Sequence, residues 1–359
     1  MESRVRVGVV GCGVIANSTY LPGIVGMGEK VELVAVCDQQ RELAERIGAK
    51  FGAKQVYSDY DEMLAKAPID AVVVLTNIQS HAPNVMTALK AGKHVYTEKT
   101  LATTLEDAER CIAEAHGRNL LLACAPPVML SAANQRVKGL IEKGAIGRVN
   151  FVRARHSHGG PASFPHWTAD PTWFYKEGAG PILDLGVYAF HTITGILGPV
   201  RRVTAMLGIA QPERVIRSGP AKGKTIQVEA EDNGLVLLDF GNATFAVVDG
   251  TYAVRAAKGP RMEFYGSKGT INVNDRGVDP PLELWREDEQ LGISGWMGVP
   301  VDGARGWSLA SGVEHLADCI REGKKPLISA EHARHCLEVM LAAMEASRTG
   351  QAQEVSSVF

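Results

Sequence analysis

Three groups of residues have the types and spacing to do chemistry. The first is Gly11-x-Gly13-x-x-Ala16, with Val14 and Ile15 inside it. It follows the β-branched run Arg6 to Val10, and Asp38 closes the next apolar run, 22 residues past Ala16. In that setting the first glycine permits a tight turn. The second lets backbone approach a pyrophosphate, and alanine keeps the next helix close to the strand. The helix N-terminus then offers N–H groups to phosphates. Asp38 can accept hydrogen bonds from both hydroxyls of an adenosine ribose and repels a 2′-phosphate, which favours NAD over NADP. Arg41 is the nearby group able to take such a phosphate. The second group is Glu98-Lys99-Thr100 after the strand-like run His94 to Thr97. Carboxyl ends of strands in a doubly wound sheet face the ligand crevice. A nicotinamide's positive ring and partial desolvation would lower a lysine pKa and make Lys99 a proton acceptor. From spacing alone, a surface lysine is the simpler reading. The third group lies in Gly178 to His191. If that segment is helical from about Pro181, then Asp184, Tyr188 and His191 fall at i, i+4 and i+7 and share one face, within strongly apolar surroundings.

The first third of the chain supplies a scaffold for the first two groups. Apolar strands at Arg6 to Val10, Val31 to Cys37, around Val56, Asp70 to Leu75, His94 to Thr97 and Leu120 to Cys124 alternate with helical stretches. Those stretches are one after Gly13, then Arg41 to Phe51, Tyr60 to Lys66, Pro83 to Ala91 and Leu105 to Gly117. Five or six strand–helix repeats fit one doubly wound parallel domain over residues 1–124. After Pro126-Pro127 comes a helix at Ala132 to Gly144 and then a series of strands. These are Asn150 to Arg155, Val203 to Ile209, Gly234 to Phe240, Ala243 to Asp249, Arg261 to Tyr265, Thr270 to Val273 and Leu282 to Trp285. They predict a large, mostly antiparallel sheet in a domain over residues 125–359. Gln290 to Gly306 reads as a loop, and helices at Ser308 to Glu322 and Ala330 to Arg348 close the chain.

Whole-chain numbers narrow the class. At 359 residues the chain fits about two domains. Its 38 basic and 40 acidic residues give a net charge of -2, which argues against a nucleic-acid binder. Six cysteines include no Cys-x-x-Cys pair, so buried thiols in a reducing compartment are expected. The sequence starts without signal-peptide features and has no run of 18 apolar residues, so a cytoplasmic protein without a membrane span is expected. His156-x-His158 is the one His-based metal candidate, but hydride transfer with a lysine needs no metal, and none is expected.

Taken together these residues resemble the glucose-fructose oxidoreductase / inositol dehydrogenase / rhizopine catabolism (Gfo/Idh/MocA) family. The resemblance rests on Gly11 to Ala16, Ala35-Val36-Cys37-Asp38, Tyr57 to Leu64, Glu98-Lys99-Thr100, Gly144-Ala145-Ile146-Gly147 and Gly178 to Gly195, in this order. It implies an α/β protein: an N-terminal Rossmann domain, then a C-terminal α+β domain whose open sheet mediates a homodimer or homotetramer. It implies hydride transfer between nicotinamide and a sugar or polyol hydroxyl. Lys99 matches the family's Glu-Lys-Pro lysine, which helps move the hydroxyl proton, and Glu98 precedes it. Asp184 matches the aspartate that orients substrate. Thr76 and His81 match the Thr-Pro-Asn-x-x-His stretch near the nicotinamide ribose, and Asn77, between them, is an expected cofactor contact of the same loop.

The sequence departs from the family pattern in several places. Thr100 and Asn77 each replace a proline, and family members often keep a cis peptide before the first of these. Tyr20 stands where histidine is frequent. Tyr188 occupies the usual catalytic histidine position. With a free pKa near 10, it would be a donor or general acid rather than a base. His191 could assist. The loop before this helix carries Arg153, Arg155, His156, His158, His166, Trp167, Trp173, Tyr175 and Lys176. Its aromatic rings could stack on a sugar and its cations could hold an anionic substituent. Arg155, His156, Trp173 and Tyr175 are the expected substrate contacts beside Lys99, Asp184 and Tyr188. Two other functions are compatible with these residues. One is a glycoside hydrolase that uses NAD transiently through oxidation and elimination, and the other is a non-enzymatic NAD sensor. The expected partner is a small carbohydrate or polyol, not nucleic acid or membrane.

Overall fold

The computed structural model describes residues 4–274, 277–288, 290, 292–301 and 308–359. The chain forms two compact units, Met1–Leu130 with Trp307–Leu337, and Ser131–Gly306 with Glu338–Phe359. In the first unit, strands β1 (Val5–Val10), β2 (Val31–Cys37), β3 (Gln55–Tyr57), β4 (Ala71–Val74), β5 (His94–Thr97) and β6 (Leu122–Cys124) form one parallel sheet, ordered β3-β2-β1-β4-β5-β6. The order reverses across β1 and β4, the position at which open α/β sheets hold ligands beyond their carboxyl ends. Its strands are buried almost without alternation because helices cover both faces.

The helices α1 (Leu21–Gly26), α2 (Arg41–Phe51), α3 (Tyr60–Lys66), α4 (His81–Lys90) and α5 (Leu105–Gly117) connect these strands. Their ends follow local chemistry. Asp59 and Thr104 cap α3 and α5 by accepting from Glu62 N and Asp107 N, and left-handed Gly52 closes α2. The stretch expected as one helix after Gly13 is split: a wide π-type turn, Ala16–Tyr20, precedes α1.

The second unit opens with α6 (Ala132–Glu142) and β7 (Val149–Arg155). Next come α7 (Val187–Leu197), β8 (Arg202–Gly208), and a two-stranded hairpin, β9 (Glu213–Val215) with β10 (Thr225–Gln227). Then follow β11 (Asn233–Asp239), β12 (Phe245–Thr251), β13 (Met262–Gly266), β14 (Gly269–Val273), β15 (Leu282–Asp288) and β16 (Ile293–Val299). The nine-stranded sheet runs β16-β15-β14-β13-β7-β12-β11-β8-β17, with β17 at Gln353–Glu354. Only β7 and β12 pair in parallel; every other pair is antiparallel. One face of β11 and β12 is buried through Val236, Leu238, Ala246 and Val248. The other exposes Leu235, Leu237 and Phe245, beside Met206 of the neighbouring β8. Before β17, α8 (Ser311–Glu322) places Val313, Leu316 and Ala317 in the first unit's core, and α9 (Ala330–Thr349) follows.

The α/β class and the two sheet types match the expectation. Part of the expected loop Gln290 to Gly306 is strand β16, an edge strand paired only with β15. Its glycines, Gly295 and Gly298, and its exposed Trp296 and Met297 hid the period-two pattern that reveals a half-buried strand. Residues 291 and 302–306 of that expected loop lie outside the described residues. The hairpin strands β9 and β10 were not foreseen, since three residues are too few to show a period.

Candidate active site

The carboxyl edge of the parallel sheet collects most of the predicted nucleotide residues. Gly11 ends β1 with φ +92°, and a Cβ there would sit 2.6 Å from the Leu75 carbonyl oxygen. Both its conformation and its space require glycine. Gly11→Ala is therefore expected to force the β1 and β4 ends apart. The cost is about 1–3 kcal/mol, and NAD binding should weaken in fluorescence titration. Beside Gly13 the space is open: a Cβ would meet nothing within 4 Å. The helical stretch starts directly after it, with Asn17 N donating to Gly13 O, Val14 exposed and Ala16 fully buried against the core. Ile15 packs partly buried on that core.

Asp38 closes β2, and its carboxylate accepts from Cys12 N and Gln40 N, both at 2.9 Å. It is thereby fixed beside the glycine turn, with lone pairs to spare. Arg41, by contrast, is ion-paired with Glu45 on its own helix. An open glycine turn, a helix start and an anchored acceptor fit an NAD adenosine and pyrophosphate.

Beyond β4 and β5, one histidine ties two loops together. His81 Nδ1 lies 2.7 Å from Thr100 O, and Nε2 lies 3.1 Å from Thr76 O. Burial holds its pKa below the usual histidine value. Asn84 donates to Thr76 Oγ1, and Asn77 caps the short helical turn after β4 by accepting from Ser80 N. Asn77 thus does a capping job that proline could not do. Glu98 is buried, with Oε1 accepting from Tyr20 OH at 2.5 Å and Oε2 from Lys99 N at 3.0 Å. Burial and the Glu98 charge push the Tyr20 phenol well above its usual pKa, so it stays a donor. The tyrosine in the place of the family's frequent histidine therefore serves Glu98. The Lys99–Thr100 peptide is cis, although no proline follows the lysine.

In the second unit the polar trio is phased differently from the expectation. Ile182–Gly186 forms a wide π-type turn, and regular helix begins only at Val187. Asp184 therefore does not share the i, i+4, i+7 geometry of one α-helix with Tyr188 and His191. π-type turns recur at functional sites. Left-handed Gly180 leads into the turn, its missing Cβ leaving room for Glu231 O. Asp184 is half-buried and accepts from Tyr252 OH at 2.9 Å. Tyr188 is half-buried and His191 is buried.

The loop residues divide. Arg155 is ion-paired with Glu263 at 2.5 Å and also donates to Pro260 O. His156 has its Nδ1 sealed without a partner, and burial pushes its pKa down to about 3. Neither is a spare cation for an anionic substituent. Tyr175 is buried, its OH accepting from Ala162 N, with Arg214 lying over its ring. Trp173 is 50% exposed and stacks on Phe174, with ring centroids 3.8 Å apart. The sequence missed Tyr252. It lies just past β12 and meets Asp184 only through the fold, so no local signal marks it. It also did not select His158, which stacks on Tyr252.

A Rossmann-type nucleotide edge and a separate unit with a wide mixed sheet define the class: a nucleotide-dependent oxidoreductase. The sequence model described as "Oxidoreductase family, NAD-binding Rossmann fold" matches residues 5–125, and "GFO/IDH/MocA C-terminal domain" matches residues 134–272. The chain belongs to the Gfo/Idh/MocA family, and its N-terminal unit is an NAD-binding Rossmann domain. It is 31% identical over 306 residues to dTDP-3,4-didehydro-2,6-dideoxy-alpha-D-glucose 3-reductase of Saccharopolyspora spinosa, covering 84% of each chain. It is 26% identical over 277 residues to myo-inositol 2-dehydrogenase of Thermotoga maritima, covering 76% of this chain and 77% of the relative. Among solved structures, a levoglucosan dehydrogenase in complex with NADH and L-sorbose shares the fold, with a TM-score of 0.82, 21% identity and 99% of each chain covered.

Proposed function

We propose that this oxidoreductase transfers hydride between NAD and a secondary hydroxyl of a cyclic sugar or polyol. The observation that carries the reading is the shared carboxyl edge of the parallel sheet, where the Gly11 turn, Asp38, the Thr76–His81 loop and Lys99 end four strands. Relatives named for a dTDP-linked ketosugar, myo-inositol and levoglucosan support the substrate class. NAD, when bound, supplies the hydride acceptor or donor at the nicotinamide. Gly11 to Ala16 would hold its pyrophosphate and Asp38 its adenosine ribose. Thr76, Asn77 and His81 would border the nicotinamide ribose. Lys99 takes the hydroxyl proton during oxidation and returns it during reduction. Asp184 accepts from a substrate hydroxyl, Tyr188 donates to a substrate oxygen, and His191 supports the pair. Trp173 offers an exposed ring for stacking on a sugar face.

The test combines the purified protein and NAD with a panel of aldoses, cyclic polyols, sugar acids and nucleotide sugars. NADH should accumulate with at least one member. Aglycone release from a nitrophenyl glycoside at catalytic NAD, with no net NADH, would instead assign the redox-neutral glycosidase reaction. NAD binding with no turnover of either kind would leave the sensor reading. Cofactor choice has its own check. Asp38→Asn should weaken NAD binding about tenfold or more, as expected for a lost hydrogen bond to a charged group. Unchanged NAD affinity would sink the role given to Asp38.

The exposed apolar sheet face at Met206, Leu235, Leu237 and Phe245 supports a homodimer or homotetramer, which sedimentation velocity would reveal. Six buried free cysteines support a reducing, cytoplasmic setting. Among the described residues no helix is long and apolar enough to cross a membrane.

A further inference from the structure

One imidazole near Asp184 has no role so far. His158 lies in the loop after β7, and its Nδ1 accepts a hydrogen bond from Gly160 N at 2.9 Å. The neutral ring therefore carries its hydrogen on Nε2. Among the described residues no group pairs with that Nε2–H, and the atom is not one of the sealed polar atoms. The ring cannot swing freely. It stacks on Tyr252 at 5.5 Å and 14° and meets the edge of Phe164 at 4.8 Å. Beneath it, Arg214 Nη1 donates to both Gly159 O and Tyr252 O, each at 3.0 Å. A directed donor is thus built onto a buried anchor. Its neighbour on the same wall is Asp184, which receives the Tyr252 hydroxyl at 2.9 Å. The Asp184 charge raises the His158 pKa against the lowering effect of burial, so the two groups lie within electrostatic reach.

We infer that His158 is a specificity-determining residue whose Nε2–H donates to the substrate oxygen adjacent to the hydroxyl that Asp184 accepts from, so that the pair reads a vicinal diol. An ionised carboxylate only accepts, and this tautomer's free nitrogen only donates. Two neighbouring hydroxyls satisfy both at once, since one gives its hydrogen and the other receives one. A deoxy carbon at the second position leaves the Nε2–H without a partner, and sites built for a hydroxyl reject such analogues strongly. The inference rests on Asp184 holding the sugar.

Two variants separate substrate contact from loop support. In His158→Asn the side-chain oxygen falls at the Nδ1 position, which keeps the Gly160 bond and deletes the donor. In His158→Gln the amide nitrogen falls near Nε2, which keeps the donor and deletes the Gly160 acceptor. Wild type and both variants are assayed with NAD on myo-inositol, D-glucose, levoglucosan and the monodeoxy forms of glucose, and on any further panel member that the wild type turns over, with its deoxy analogue. The expected result for His158→Asn is a rise in KM of about tenfold or more, loss of the preference for hydroxylated over deoxy substrate, and unchanged NAD affinity. His158→Gln should keep that preference. The reverse order, with His158→Asn like wild type and His158→Gln impaired, overturns the inference and leaves a purely structural histidine. Two tight-binding, active variants overturn it as well. A wild type that binds NAD but turns over no sugar fails the broader reading itself, and the inference falls with it.

Discussion

Lys99→Met is expected to lower kcat by about a hundred- to ten-thousand-fold, the range that a positioned general acid–base supplies, while NAD affinity stays within about threefold. The expectation rests on how the backbone at Lys99 is held. On one side, Glu98 Oε2 accepts from Lys99 N, while Glu98 Oε1 is fixed by the Tyr20 hydroxyl. On the other, Thr100 O faces His81 Nδ1 and Thr100 Oγ1 donates to Ala102 O. None of these contacts uses the lysine side chain, so methionine leaves each of them in place. Methionine matches the lysine stem in length and cannot carry a proton. Stopped-flow measurement of a single turnover, with NAD affinity from fluorescence, separates chemistry from binding. Turnover within about threefold of wild type would remove Lys99 from the proton-transfer role.

The strand-to-helix turns of the NAD-binding unit were readable because their signals are local. Gly11 needs a left-handed backbone and a close approach of the Leu75 carbonyl, and both demands fall on one residue inside a six-residue pattern. The bounds of α2, α3 and α5 were readable because their caps, Gly52, Asp59 and Thr104, sit beside the periodic run they close. The substrate side was less legible because it depends on register and on phase. Asp184 and Tyr188 looked like neighbours on one helix face only under an unbroken 3.6-residue period, which the wide turn Ile182–Gly186 interrupts. His156 and His158 differ by two positions, yet one has a sealed nitrogen and the other an accessible one, a distinction made by what packs against the loop. Arg155 looked like an available cation, but its partner Glu263 stands on β13, across the β7–β13 ladder and 108 residues away. Tyr252 reaches Asp184 across 68 residues of sequence, and no spacing rule connects them.

Asp232→Ala is expected to destabilise the second unit by about 3–5 kcal/mol, the usual effect of stripping one partner from a buried ion pair. Asp232 is 1% exposed and Arg214 6%, with Oδ2 and Nη2 2.6 Å apart. The carboxylate also accepts from Ala210 N at 2.6 Å, and the Asp232 carbonyl accepts from Tyr252 N and Thr251 Oγ1. Removing the carboxylate leaves a nearly buried guanidinium among Gly159 O, Tyr252 O and the Tyr175 ring without the charge it pairs with. For a unit of this size the loss corresponds to a Tm decrease on the order of 10 °C, measurable by calorimetry. The double variant Asp232→Ala with Arg214→Met should recover much of it, because an apolar pair of similar volume no longer buries a charge. The two variants should still part company in function. Arg214 is what holds both Gly159, beside His158, and Tyr252, beside Asp184. The stabilised double variant is therefore expected to keep NAD affinity and to show a raised sugar KM. A double variant with wild-type KM would mean that the ion pair supports the fold alone, and that the aromatic wall holds Asp184 and His158 without it.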